Sequence, residues 1–100
     1  MGMPSPKRVG SNPIKHDLDT WPMFFRCVWS REKLFELRKD DGRDFRAGDT
    51  LLLREGSQAK GYTGRSIRCG VAYLLGGQWP GLAEGYVVMS LDNLTNHEST

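Results

Sequence analysis

From Ile14 onward the apolar and polar positions fall into short runs whose period changes along the chain. "IKHDL" is the first run able to form a strand. Trp21, Phe24, Phe25 and Val28 then recur at helical spacing, with Arg26 and Ser30 on the wet side. Thr20 is placed to cap this helix and Pro22 sits in its first turn, where a missing N–H costs nothing. The period drops to two in "LFELRK", which puts Phe35 and Leu37 on one face and Glu36 and Arg38 on the other. The apolar pair is expected beneath the helix. A Gly-Asp turn opens the nearly all-apolar "GDTLLLRE", and "SIRCGVAYL" sets Ile67, Cys69, Val71 and Tyr73 on one face. "GYVVMSL" closes the set, and the glycine-rich stretches "GSQAKGYTGR" and "GGQWPGLAEG" read as loops. Five short strands and one covering helix, with no βαβ repeat, predict an α+β domain. Its architecture is expected to be a small, mostly antiparallel β-barrel.

Length and charge refine that picture. One hundred residues make one domain. "MGMPSPKRVGSNP" and "DNLTNHEST" hold too little apolar surface to repay ordering, so residues 1–13 and 92–100 read as flexible tails around a domain at 14–91. The net charge is +2, but residues 1–15 carry Lys7, Arg8 and Lys15 with no acid, which leaves the rest of the chain at −1. A basic shell of the kind that coats nucleic acid is thereby excluded; any binding surface is local. No apolar run reaches membrane-span length, and no apolar stretch follows Lys7-Arg8 as a secretory signal requires. Cys27 and Cys69 stand far apart at positions that read as buried, which suits a reduced, cytoplasmic monomer. No His/Cys/Asp grouping has zinc-ligand spacing, and no phosphate loop or dinucleotide fingerprint occurs, so no cofactor is expected.

The stretch from His16 to Leu91 resembles the ASCH domains, and within them an uncharacterised bacterial and phage group. The resemblance rests on Lys33, Glu36 and Arg38 in K-x-x-E-x-R, on Phe45, Gly48 and Asp49 in F-x-x-G-D, and on "GYTGR" at 61–65. It implies a PUA-like barrel whose cleft, lined by the Lys/Glu/Arg set, binds RNA or nucleotides. Three departures matter. Arg31 stands where a helix-ending glycine is usual, and Gly42 lengthens the following turn. Glu36 stands where ASCH members that hydrolyse acetylated cytidine carry threonine, which argues against that activity.

The candidate site follows. Lys33, Glu36 and Arg38 are either a solvated strand face, worth under about 1 kcal/mol, or the rim of a polar site in which a guanidinium fork grips phosphate. Lys60, Tyr62, Thr63 and Arg65 lie on a glycine-flanked loop that a ligand could approach closely, with Tyr62 able to stack on a base. Trp79 is a second stacking candidate, whereas Trp21 and Trp29 read as core or helix-cover residues. His16 reads as a hydrogen-bonded structural residue with a possible place in the cleft. The expected function is weak, non-catalytic binding of RNA or a nucleotide-like ligand. The alternative is a small hydrolase of modified nucleosides or RNA using Lys33 and Glu36. A third class, a module that binds another protein, would expose an apolar patch.

Overall fold

The computed structural model describes residues 13–77 and 79–99, so all but Pro13 of the expected N-terminal tail lies outside the described residues. In chain order the elements are β1 (Lys15–Thr20), α1 (Pro22–Trp29), β2 (Phe35–Lys39), β3 (Thr50–Ser57), β4 (Gly61–Gly76) and β5 (Tyr86–Glu98). The strands form one curled sheet, a half-barrel, in the order β1-β3-β4-β5-β2. The sheet is mixed but mostly antiparallel, as expected, and it curls into a half-barrel where a closed barrel was expected. Its β1–β3 edge is parallel, because α1 and β2 intervene and return the chain to β3 in the direction of β1. The other pairings are antiparallel.

The core lies in the concavity under α1. Phe25 and Val28 from the helix meet Leu51 and Leu53 of β3, Ile67 and Cys69 of β4 and Met89 of β5. Removing such apolar area from water, at about 25 cal/mol per Å², is the main stabilising term for a domain this size. Burial pushes the Cys69 thiol up to about 12, helped by the negative charges of Glu36 and Asp92, so this sulfur behaves as an inert small hydrophobe.

Two bulges explain where the alternation along β4 and β5 fails. The register moves from Val71↔Leu91 to Tyr73↔Ser90, leaving Ala72 unpaired. The extra residue flips the pattern, so Leu74 is buried and Tyr73 exposed, contrary to the expected shared face. A second shift sets Asn93 and Leu94 opposite Cys69 alone, with Asn93 at φ 50°. It turns Leu94 back against the core. The segment expected as a C-terminal tail is therefore strand as far as Glu98, paired to Arg65 of β4.

The end of α1 answers the question raised by Arg31. This residue adopts the left-handed conformation, φ 69°, that a glycine would take without strain. Its side chain compensates: Nη1 donates to the Val28 and Trp29 carbonyls and to Asn96 Oδ1 at 2.7 Å, and Nη2 to the Leu94 carbonyl. The arginine thus caps the helix and ties it to the β5 extension. Arg31→Ala keeps the strained backbone and loses the tether, so it should cost about 1–2 kcal/mol. Arg31→Gly should recover part of that loss by relieving the strain. Denaturant unfolding of both variants checks the order; an alanine variant at least as stable as the glycine one would refute it.

β2 reverses the expected phase. Glu36 is 2% exposed, whereas Phe35 and Leu37 are 46% and 52% exposed. The period of two was legible, but the face that points inward is the polar one. What permits this is the pairing of Glu36.

Candidate functional site

β1 and β2 are the two edges of the sheet, and no backbone ladder joins them. A side chain does. Arg38 Nη1 donates to the Asp19 carbonyl of β1 at 2.9 Å, and Nη2 donates to Thr20 Oγ1 at 3.0 Å. Its Nε donates to Glu36 Oε2 at 2.8 Å, while Glu36 Oε1 accepts from Lys33 Nζ at 3.1 Å. A buried carboxylate is tolerable only when both oxygens are paired, and here they are. Lys33 follows the left-handed turn at Arg31, and its Nζ lies 5.8 Å and 5.2 Å from the ring centroids of Phe24 and Phe35.

Thr20 is not the helix cap. Its hydroxyl serves Arg38, and Trp21 occupies the N-cap position with φ −61° and ψ 139°, making no side-chain cap bond. Pro22 follows in the first turn, as expected. The fixed backbone at Trp21-Pro22 holds the indole outward, 69% exposed, in near-parallel stacking with Phe24 at 6.1 Å between centroids. Trp21 was expected in the core or as a helix cover. The helix is too short and the sheet too narrow to cover its whole apolar stripe, so Phe25 and Val28 go in while Trp21 and Phe24 stay out.

These groups line an open cleft of about 530 Å³, walled by Trp21, Phe24, Leu37 and Tyr86, with Thr20, Lys33, Glu36 and Arg38 supplying its polar part. The charges there do not balance. One carboxylate faces two cations, so a surplus positive charge is held at the cleft. Of five guanidinium and three ammonium N–H groups, several remain for a ligand after the bonds named above.

The other two buried acids differ. Glu55 is matched by one cation: Arg65 donates from Nε to Oε1 at 2.8 Å and from Nη2 to Oε2 at 2.9 Å, and Thr63 donates to Oε1 at 2.7 Å. The guanidinium also lies 5.0 Å from the Trp29 ring, which locks it under the helix. Asp49 Oδ2 meets His16 Nε2 at 2.8 Å and accepts from the Arg46 N–H, while Oδ1 accepts from the Ile14 N–H. The His16 ring packs on Phe45 at 4.5 Å, so His16 pins β1 to the turn before β3 and does not line the cleft.

Of the residues read as a site in the sequence, Lys33, Glu36 and Arg38 converge in the cleft. Lys60 and Thr63 line a neighbouring cavity of about 660 Å³ with Trp21, Pro22, Met23, Gly56, Ser57 and Gly61. Tyr62 and Arg65 belong to β4 and not to a loop, since the turn narrows to residues 58–60. Tyr62 donates its hydroxyl to Asp19 Oδ1 at 2.8 Å, and the Arg54 guanidinium lies 4.1 Å from its ring centroid. The hydrogen bond to the Asp19 carboxylate holds the Tyr62 phenol above its ordinary value. Trp79 sits apart, in a surface dip with Gly77, Leu82 and Glu84. Sequence reasoning missed Thr20, Trp21, Phe24, Leu37 and Tyr86.

Among the described residues no group of three His, Cys, Asp or Glu side chains is arranged to hold a metal ion. No helix among them is long and apolar enough to cross a membrane. A family model described as a domain of unknown function (DUF3850) matches residues 15–91. No curated protein matches the chain.

Proposed function

The chain belongs to the DUF3850 family, and within it we propose that this protein is an ASCH-type, PUA-like half-barrel that binds RNA or a nucleotide-like ligand without doing chemistry on it. The observation that carries the reading is the surplus cation fixed beside exposed aromatic rings at the β1–β2 seam. A planar guanidinium and an ammonium suit phosphate or carbonyl oxygens, and Trp21 and Phe24 offer stacking faces for a base. Hydrolysis is the less favoured use of the same groups. Both Glu36 oxygens are engaged by cations, which hampers proton shuttling to a substrate.

The exposed Trp21, Phe24 and Leu37 at the charged cleft, with Phe35 beside Lys33, also suit a second reading, a protein-binding face with an apolar rim. Chemical-shift mapping with a panel of nucleotides and short single-stranded RNAs separates the two. Nucleotide binding predicts shifts at Lys33, Glu36, Leu37, Arg38 and the Trp21 indole. It also predicts a shallow salt dependence of one to two phosphates, at about −0.7 per phosphate for a single strand. Shifts confined to residues 1–12 would make that basic segment the binder and sink the cleft. Acetylated cytidine in the same panel should release no product above background.

A further inference from the structure

The two cavities that flank Trp21 are adjacent parts of one surface, because the same indole lines both. The first holds Lys33, Glu36 and Arg38; the second holds Lys60 beside Pro22, Met23, Ser57 and Gly61. Each of the two cavities that share Trp21 therefore holds a positive group, and an aromatic wall runs from the first cavity to their junction. That wall consists of Phe24 in the first cavity and Trp21 shared between them, near-parallel at an interplanar angle of 16°. The second cavity also has a backbone that can be approached closely. Gly61, at φ 86°, has open space where a Cβ would stand, while at Gly56, φ 119°, a Cβ would collide with the Gly61 carbonyl, so that glycine serves to close the strands.

We infer that the ligand is a single-stranded RNA segment of at least two consecutive nucleotides, its bases following the Phe24–Trp21 wall from the Lys33/Arg38 cavity into the Lys60 cavity. This rests on the nucleotide-binding reading of the first cavity and extends it to ligand length. A lone nucleotide fills only one cavity and reaches the positive charge of that cavity alone. A dinucleotide gains the second stack and the second charge. Both kinds of contact tolerate any base, because every base has a stacking face and every link a phosphate.

The test uses the full chain with two probes, uridine monophosphate and the phosphorylated dinucleotide pUpU, titrated by amide shifts and calorimetry. The dinucleotide should bind about 10-fold or more tightly than the mononucleotide, and its shifts should spread to Lys60, Gly61 and Thr63. Trp21→Ala should remove most of that gain, and Trp21→Phe should restore part of it. The exposed position of Trp21 favours folding of both variants, and the amide spectrum checks that directly. Lys60→Gln should cost the dinucleotide more than the mononucleotide. Equal affinities with shifts confined to the first cavity overturn the inference while leaving nucleotide binding intact. Silence of every cleft amide with both probes overturns the nucleotide reading itself, and the apolar rim then belongs to a protein partner.

Discussion

Replacing Glu36 by glutamine is expected to weaken binding of single-stranded RNA about 5- to 150-fold, or about 1–3 kcal/mol, although the change removes a negative charge from a site meant for phosphate. Simple electrostatics predicts the opposite sign, since a less acidic cleft attracts an anion better. The geometry decides for weakening. Glu36 holds Arg38 at 2.8 Å through one oxygen and Lys33 at 3.1 Å through the other. Glutamine can accept from only one of them and turns an NH₂ donor toward the second. The guanidinium then loses the carboxylate that fixes its plane across the seam to Asp19 and Thr20. Arg38→Lys should be harmful for a related reason, because a point charge cannot bond Glu36, the Asp19 carbonyl and Thr20 together. Lys33 and Arg38 keep about a fifth of their surface exposed and can rehydrate, so the fold should tolerate either change. Isothermal titration with the folded variants reads the sign. RNA affinity at or above the parent for Glu36→Gln would reduce the charged trio to a structural pairing with no part in binding.

What the sequence conveyed about this site follows from what periodicity measures. The strand at Phe35–Lys39 was legible, and so was the grouping of Lys33, Glu36 and Arg38. The face that points inward was not. Alternation reports a period and leaves the phase to hydrophobicity, and here a paired carboxylate takes the inner position that Phe35 and Leu37 would ordinarily fill. Trp21 was misplaced for a related reason, since a helical stripe says which residues share a face but not how wide a sheet lies beneath it. The extension of β5 to Glu98 carried no signal at all. Its residues after Leu91, apart from Leu94, are exposed, so the backbone pairs with β4 while no face is buried and no alternation is needed. His16 and Arg65 show the remaining limit. Both are polar residues within the family-like stretch, and only the partners at Asp49 and Glu55 separate a structural pair from a ligand contact.

That separation leads to the largest expected loss of stability. Arg65→Met keeps the aliphatic bulk near Phe25 and Trp29 but leaves Glu55, 1% exposed, with only Thr63 as a named partner. An uncompensated buried charge costs about 3–5 kcal/mol, a large share of the roughly 5–15 kcal/mol that holds a domain together. Glu55→Gln in the same chain removes the stranded charge while keeping an acceptor for Thr63. The double variant should therefore be more stable than Arg65→Met alone, with a coupling of about 1–3 kcal/mol between the two positions. A phosphate-gripping Arg65, free of structural duty, predicts neither result: the single variant would unfold near the parent's denaturant midpoint and lose RNA affinity instead. Urea unfolding of the four members of the cycle distinguishes the cases. The bidentate geometry at 2.8 Å and 2.9 Å, together with the helix aromatics over the guanidinium, favours the ion pair. Arg38 and Arg65 then hold opposite roles in the same half-barrel. One shares its carboxylate with a second cation and keeps charge to offer at the seam, while the other spends its charge on a buried acid.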